Sequence, residues 1–333
     1  MKKIFALCVS IAVILSFAGC GKKSNEDTSN EDTSTASANN SSTQQSSLSG
    51  SSDSSDEYFS SEITSEGKLS DVKIGDYVVY TPERSKYVTN GKENNNSPQT
   101  FYTMYTKWIC IGKSDNGGIL ITSYDPVNTL EESQFKLYGA GGYLYGEEEL
   151  NAACKKLYSS KIGDARSMNL NDILTILNYK GPKGCYTETG KGEVETDTPL
   201  KISDIEKSSG KTIERRTTPD SSIVFDNCLS DGFTIEKSSK KISTDNIDYV
   251  FRTNNFWLAS SCIEAELPGN FGGGSATFLM RRVNGEKVGA AGLFVSYDKP
   301  DEHEFKAGIR PVVEINQSAK CGKNTDGQWV VTE

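Results

Sequence analysis

Phe101-Tyr102-Thr103-Met104-Tyr105-Thr106-Lys107-Trp108-Ile109-Cys110-Ile111-Gly112 leads through Ser114-Asp115-Asn116-Gly117-Gly118 into Ile119-Leu120-Ile121-Thr122-Ser123. The outer segments are aromatic and β-branched, which suits a pleated surface. The middle is turn chemistry, so the stretch predicts a β-hairpin. Upstream, Asp76-Tyr77-Val78-Val79-Tyr80 reads as a strand stopped by Thr81-Pro82. Downstream the period changes. Leu150, Cys154, Leu157 and Tyr158 share one helical face, with Glu147-Glu148-Glu149 in the expected opening turn. Carboxylates there meet the positive end of the helix dipole. A second helix starts at the cap Asn169, carries Leu170, Ile173, Leu174 and Leu177, and is expected to stop before Gly181-Pro182. Gly184 to Ile247 is polar and punctuated, and predicts loops and short strands. Strand patterns return at Phe256 to Ala259, Thr277 to Val283, Gly292 to Ser296, Ile309 to Ile315 and Trp329 to Val331, with Asn284-Gly285 as a hairpin turn. Strands, then helices, then strands predict an α+β fold. The expectation is one β-rich domain with two short helices over residues 71–333, long enough for a sizeable core.

Residues 20–70 differ in kind. They are mostly Ser, Thr, Asn, Asp and Glu, with no Pro, few large apolar residues and a tandem repeat at Ser24 to Thr28 and Ser29 to Thr33. Such a chain buries too little apolar area to offset its ordering entropy, so it reads as a disordered tether. Before it, Lys2 and Lys3 precede an apolar run from Ile4 to Phe17 and then Ala18-Gly19-Cys20. A charged start, a short apolar run and small residues form a secretory signal over residues 1–19. Ser16-Phe17-Ala18-Gly19-Cys20 resembles the lipobox of bacterial lipoproteins. That resemblance implies that Cys20 becomes the first residue, carries the acyl lipid, and anchors the protein on the outer face of a Gram-positive cell membrane.

The chain has 333 residues, a hydrophobic share of 35%, a net charge of -9 and one His. The hydrophobic share lies below the roughly 45–50% of an ordinary domain, because the tether dilutes the head. Loss of Lys2 and Lys3 with the signal takes the charge to -11. An acidic chain without a clustered basic face is not built to bind nucleic acid. A single His disfavours zinc sites and triads built on several histidines.

Four stretches carry a second resemblance. They are Gly75-Asp76-Tyr77-Val78 with Trp108 to Gly112, Leu150-Asn151 through Ala165-Arg166-Ser167, Asn255-Phe256-Trp257-Leu258-Ala259-Ser260, and Gly308-Ile309-Arg310-Pro311-Val312-Val313-Glu314-Ile315 with Asp326-Gly327-Gln328-Trp329. Together they resemble an uncharacterised domain of clostridial and related Gram-positive surface lipoproteins. The closing motif is also distantly similar to the C-type-lectin-like fold of formylglycine-generating enzymes. The resemblance implies an architecture rather than a chemistry.

The candidate site residues each have two readings. Trp257 is a sugar-stacking platform or a core indole, and Arg310 is a ligand-binding cation or a structural one. Pro311 beside it suggests an edge strand or a free N–H side at that position. Tyr297, with Asp298, Asp301, Glu302 and the sole His303, forms the densest polar cluster. Tyr297 joins the ligand candidates; the other four are candidate Ca²⁺ or transition-metal ligands, or a charged surface loop. Asn324-Thr325-Asp326-Gly327 reads as a plain turn. Pro268 to Gly274 and Gly139-Ala140-Gly141-Gly142-Tyr143 read as mobile loops. Cys110, Cys154, Cys185, Cys228, Cys262 and Cys321 are either disulfide partners or buried thiols, and no C-x-x-C pair selects a zinc or redox motif. The functional expectation is a membrane-anchored extracellular binding module for a glycan, wall or host component, without an obligate cofactor. The alternatives are an envelope interaction protein and, less favoured, a formylglycine-generating type of enzyme.

Overall fold

The computed structural model describes residues 60–92, 98–213, 224–251, 255–269, 273–295 and 301–333. The expected signal, Cys20 and residues 20–59 of the expected tether lie outside the described residues. β1 (Ser65–Gly67) and a 3-10 turn at Leu69–Asp71 lead to β2 (Tyr77–Val79). A small ribbon, β3 (Lys86–Val88) and β4 (Thr100–Tyr102), precedes the hairpin β5 (Trp108–Lys113) and β6 (Ile119–Ser123). β7 (Phe135–Tyr138) runs into α1 (Gly139–Tyr158), and β8 (Gly163–Ser167) into α2 (Leu170–Ile176). Then come β9 (Gly184–Glu188), β10 (Gly192–Thr196), β11 (Leu200–Lys201) and α3 (Ile202–Ser209). β12 (Leu229–Ser230), β13 (Ile235–Glu236) and α4 (Ile247–Val250) precede three long strands, β14 (Phe256–Glu266), β15 (Ser275–Asn284) and β16 (Lys287–Val295). β17 (Asp301–Glu302), β18 (Glu304–Ala307), β19 (Pro311–Ile315), β20 (Lys320–Lys323) and β21 (Trp329–Thr332) complete the order.

The strands build two principal sheets. One has the order β1-β20-β21-β2-β5-β6-β19-β8. The other has the order β10-β9-β14-β15-β16-β13, with β17 added on β16. This is an α+β domain dominated by strands, as the order of patterns predicts. β5 explains how the layers join. Trp108 and Cys110 face one core cluster, and Ile109 and Ile111 the other. A strand buried on both faces needs the continuous apolar run its sequence shows. The first cluster packs Trp257, Met280 and Leu293 against Leu150, Cys154 and Leu157 of α1. The hairpin turns sit where expected: Gly117 takes φ 81° and Gly285 φ 61°, which glycine adopts without strain. Asn324 closes the β20–β21 turn, its Oδ1 accepting from the backbone N–H of Asp326 at 3.1 Å and Gln328 at 2.9 Å.

Several expectations need correction. The fold includes residues 60–70: Ser65 to Gly67 pair with β20, and Leu69 is buried. Polar composition hid this, because a strand added at a sheet edge needs backbone pairing more than side-chain burial. Four helices are present among the described residues rather than two. The glycine-rich stretch from Gly139 is the first turn of α1, not a mobile loop. A Cβ on Gly146 would lie 2.8 Å from Met280 and one on Gly142 3.1 Å from Leu293, so these glycines let the helix approach the second sheet closely. Phe101 to Gly112 is two strands with a connector between them. Pro311 is not on an edge: β19 lies between β6 and β8, and Pro311 is its first residue, where a missing N–H costs no ladder bond.

Candidate functional site

A groove opens beside the ends of β4, β5 and β6. It encloses about 310 Å³ and is lined by Met104 to Lys107 and by Asp125 to Leu130 with Ser133. Its size falls at the small end of ligand pockets, roughly 300–1,000 Å³. The floor is Pro126, Val127 and Asn128, all buried. The rim is apolar yet exposed: Tyr105 is 71% accessible, Leu130 64% and Met104 42%. Lys107 and Asp125 add charge at the edge. Isolated surface apolar residues are ordinary, whereas a group around a cavity makes this groove a candidate site.

Asn128 is the exceptional residue of the floor. Its φ is 54°, in the left-handed region that few non-glycine residues occupy. It is 4% exposed, and its Nδ2 is buried without a hydrogen-bond partner. An orphaned buried donor costs about 1–3 kcal/mol. Costly local arrangements of this kind concentrate at functional sites.

Both groove segments are fixed from behind. Thr103 Oγ1 donates to the Leu157 carbonyl at 3.0 Å, and Tyr158 Oη accepts from the Met104 N–H at 3.2 Å, so the end of α1 holds the first segment. Tyr124 N donates to the Lys107 carbonyl at 2.7 Å, joining the first segment to the second. Arg310 holds the start of the second segment. It is fully buried, and its guanidinium donates to the carbonyls of Ser123 and Tyr124, each at 3.1 Å, and of Tyr249. Ile309 exchanges backbone bonds of 2.8 and 2.9 Å with Val127 in the middle. Gly308 permits that approach, since a Cβ there would stand 2.8 Å from the Val127 carbonyl oxygen. Trp257 holds the far end: its Nε1 donates to the Phe135 carbonyl at 2.7 Å, and its backbone N–H to Gly308 at 2.9 Å.

Trp257 and Arg310 therefore leave the list of ligand contacts. Both are fully buried and their donors are engaged. Burial of a tryptophan releases much apolar area from water, and its N–H then requires an internal acceptor. Tyr297 and Asp298 lie outside the described residues, as does the side chain of Asp301. Glu302 does not project as a free metal ligand. Its Oε1 accepts from the Ala140 N–H at 3.3 Å at the opening of α1, and it also bonds Tyr138, whose hydroxyl pKa it raises. The His303 backbone bonds Gly139 and Leu293, and its ring lies 6.4 Å from Phe305. Among the described residues, no three His, Cys, Asp or Glu side chains converge to hold a metal ion.

All six candidate disulfide cysteines, Cys110, Cys154, Cys185, Cys228, Cys262 and Cys321, stand as free thiols, so the disulfide alternative is corrected. Five are buried and Cys228 is half-buried. Burial raises every one of their pKa values, those of Cys154 and Cys185 to about 12 and that of Cys321 to about 11. Thiols so held are poor nucleophiles near neutral pH.

A second polar cluster is enclosed in the other sheet. Arg281 is fully buried, donates to the Phe233 carbonyl at 2.9 Å, and lies 3.7 Å from Asp231. Its Nε and Nη2 and the Oδ1 of Asp231 have no hydrogen-bond partner. Burial raises the Asp231 pKa to about 6, against the opposing pull of the Arg281 charge.

No family model, no curated protein and no solved structure matches this chain. The groove, the residues that fix it and their chemistry are thus the basis for a functional reading.

Proposed function

We propose that this protein is a lipid-anchored, extracellular binding module that presents the Asn128 groove to a glycan or another component of the cell envelope or host surface. The single observation that carries the reading is the groove itself: exposed Tyr105, Met104 and Leu130 around a strained, unsatisfied Asn128. A saccharide offers an apolar ring face for an aromatic side chain and hydroxyls for the polar rim. The lipobox resemblance at Cys20 and the polar tether suit display away from a membrane. The C-type-lectin-like reading draws support from the Trp257 and Arg310 motifs, which sit side by side in the core through the Trp257–Gly308 bond. An enzyme of the formylglycine-generating kind is disfavoured by thiols whose burial keeps them protonated.

The test is a glycan-array screen of the purified protein, with and without Ca²⁺. Binding to a defined saccharide class, reduced by Tyr105→Ala, supports the reading. No binding to any saccharide shifts the assignment to an envelope interaction protein. The anchor is tested separately: Cys20→Ala is expected to move the protein from the membrane to the soluble fraction, and retention on the membrane would overturn it.

A further inference from the structure

We infer that the ligand of the groove is a linear acidic polysaccharide, its rings on Tyr105 and Tyr102 and its carboxylates over Arg84 and Lys86; this rests on the glycan-binding reading above. The exposed surface does not stop at the cavity. β3 and β4 pair Lys86 with Tyr102, Tyr87 with Phe101 and Val88 with Thr100. The ladder goes on one step, the Thr103 N–H donating to the Ser85 carbonyl at 3.0 Å. Side chains alternate across a strand, and Phe101 is buried against Phe135. Lys86, Val88 and Tyr102 therefore point away from the core, with Tyr102 62% and Val88 48% exposed. Arg84 and Met104, both exposed, stand one alternation further along. There the ribbon meets the rim of the groove. Arg84 Nε donates to Tyr105 Oη at 2.8 Å, and its guanidinium carbon lies 5.5 Å from the centre of the Tyr105 ring. Arg84 thus joins the ribbon to the rim and orients the ring that the groove presents.

Length and charge on this strip specify the ligand. Arg84 to Val88 covers about 14 Å of strand at roughly 3.4 Å a residue, more than one sugar ring spans. A single sugar at the cavity leaves the ribbon bare, whereas a linear chain covers both. The whole chain carries a net charge of -9, yet this face holds Arg84 and Lys86 and no carboxylate. At the mouth of the cavity Lys107 and Asp125 oppose one another in charge, so the positive excess lies on the ribbon. Such a face is complementary to an anion. Arg84 and Lys86 stand two residues apart, about 7 Å along the strand, and Tyr102 lies opposite Lys86. Cations at that spacing beside aromatic rings fit carboxylates carried along a chain of sugars. A compact polyphosphate meets the cations but leaves Tyr102 and Tyr105 uncovered.

Calorimetric titration of the full chain in detergent tests this with three probes: the α-1,4 tetramer of galacturonic acid, its methyl ester, and inorganic tetraphosphate. The ester keeps the rings and removes the charge. The acid is expected to bind about tenfold more tightly than either other probe, the scale of two solvent-exposed ion pairs. That advantage should shrink as salt screens the charges. Lys86→Gln, which leaves the Arg84–Tyr105 contact in place, should remove much of the advantage over the ester at an unchanged melting temperature. Tyr102→Ala should weaken acid and ester alike. Equal binding of the ester, or tetraphosphate binding as tight as the acid, overturns the inference, as does an advantage that Lys86→Gln leaves intact. If none of the three binds, the glycan array decides. Signals confined to uncharged saccharides overturn the inference and leave a glycan-binding module standing. Signals from uronic-acid saccharides support it where Lys86→Gln abolishes them and overturn it where they persist. An array on which no saccharide binds removes the parent reading as well.

Discussion

The Trp257 and Arg310 motifs and the Asn128 groove are neighbours with opposite economies. The motif residues are fully buried, and Arg310 and the Trp257 indole have their hydrogen-bonding capacity used. The groove residues are exposed on the rim and leave a donor unsatisfied on the floor. Yet the motifs act on the groove. Arg310 binds the carbonyls where its second segment begins, Ile309 pairs with Val127 in its middle, and Trp257 binds the Phe135 carbonyl two residues beyond Ser133. The comparison teaches that the most conspicuous residues in this chain fix the backbone of the groove and are not themselves exposed in it. An indole and a guanidinium suit that role, because each combines bulk for the core with donors of fixed direction for loop carbonyls.

That division can be broken most forcefully at Arg310. Arg310→Ala leaves the carbonyls of Ser123, Tyr124 and Tyr249 without their donor and opens a void, and is expected to cost about 3–5 kcal/mol. Urea unfolding checks it; a loss under about 1 kcal/mol would place the groove segment under other control. Trp257→Phe keeps an aromatic ring but deletes the bond to Phe135, with an expected cost of about 1–3 kcal/mol and weakened glycan binding. Wild-type affinity in that variant would contradict a positioning role.

The second buried arginine sharpens the comparison. Arg281 is loosely matched by Asp231, whose pKa is raised to about 6 from an ordinary 3.8. A carboxyl with a raised folded-state pKa binds its proton more tightly in the native state. Its contribution to stability is therefore greatest below the unfolded value and is lost as pH rises through about 6. The stability of the wild type relative to Asp231→Asn should fall between pH 4 and 6, on the order of 1–3 kcal/mol. Unfolding curves at pH 4, 5, 6 and 7 measure the difference, and a rise over that window would contradict the assignment.

Smaller still is the expected cost of surface change. Tyr105→Ala should alter stability by no more than about 0.5 kcal/mol, as surface substitutions usually do. Thiol titration adds a separate check. If the signal is removed and Cys20 acylated as proposed, the chain should show six reactive thiols when denatured, and Cys228 should react first in the native state. Eight, with Cys8 and Cys20 both reactive, would show that Cys20 carries no lipid.

Much of the frame was legible. The β5–β6 hairpin, the Asn284-Gly285 turn and the Asn169 cap follow from local rules, and Asn169 and Asp172 form the reciprocal capping pair. The glycine-rich start of α1 was not, because glycines that admit a neighbouring sheet look the same in sequence as glycines that free a loop. The contribution of residues 60–70 to the first sheet was hidden for a related reason, since their pairing is made by backbone. The candidate site was the least legible part. Tyr102, Met104 and Tyr105 were absorbed into a single long strand, although Thr106 and Lys107 interrupt its apolar pattern. Asp125 to Leu130 match no motif, and Asn128 gains its meaning only from a backbone conformation. The polar run at Tyr297 to His303 was more conspicuous, yet Glu302 serves to open α1.

The most direct measurement is a paired glycan array of the wild type and Tyr105→Ala, with thermal unfolding of both proteins. The prediction is a saccharide signal present in the wild type and lost in the variant at an unchanged melting temperature. The same signal retained in a stable Tyr105→Ala protein would contradict the account, for the recognition surface would then lie outside the groove that Trp257 and Arg310 hold.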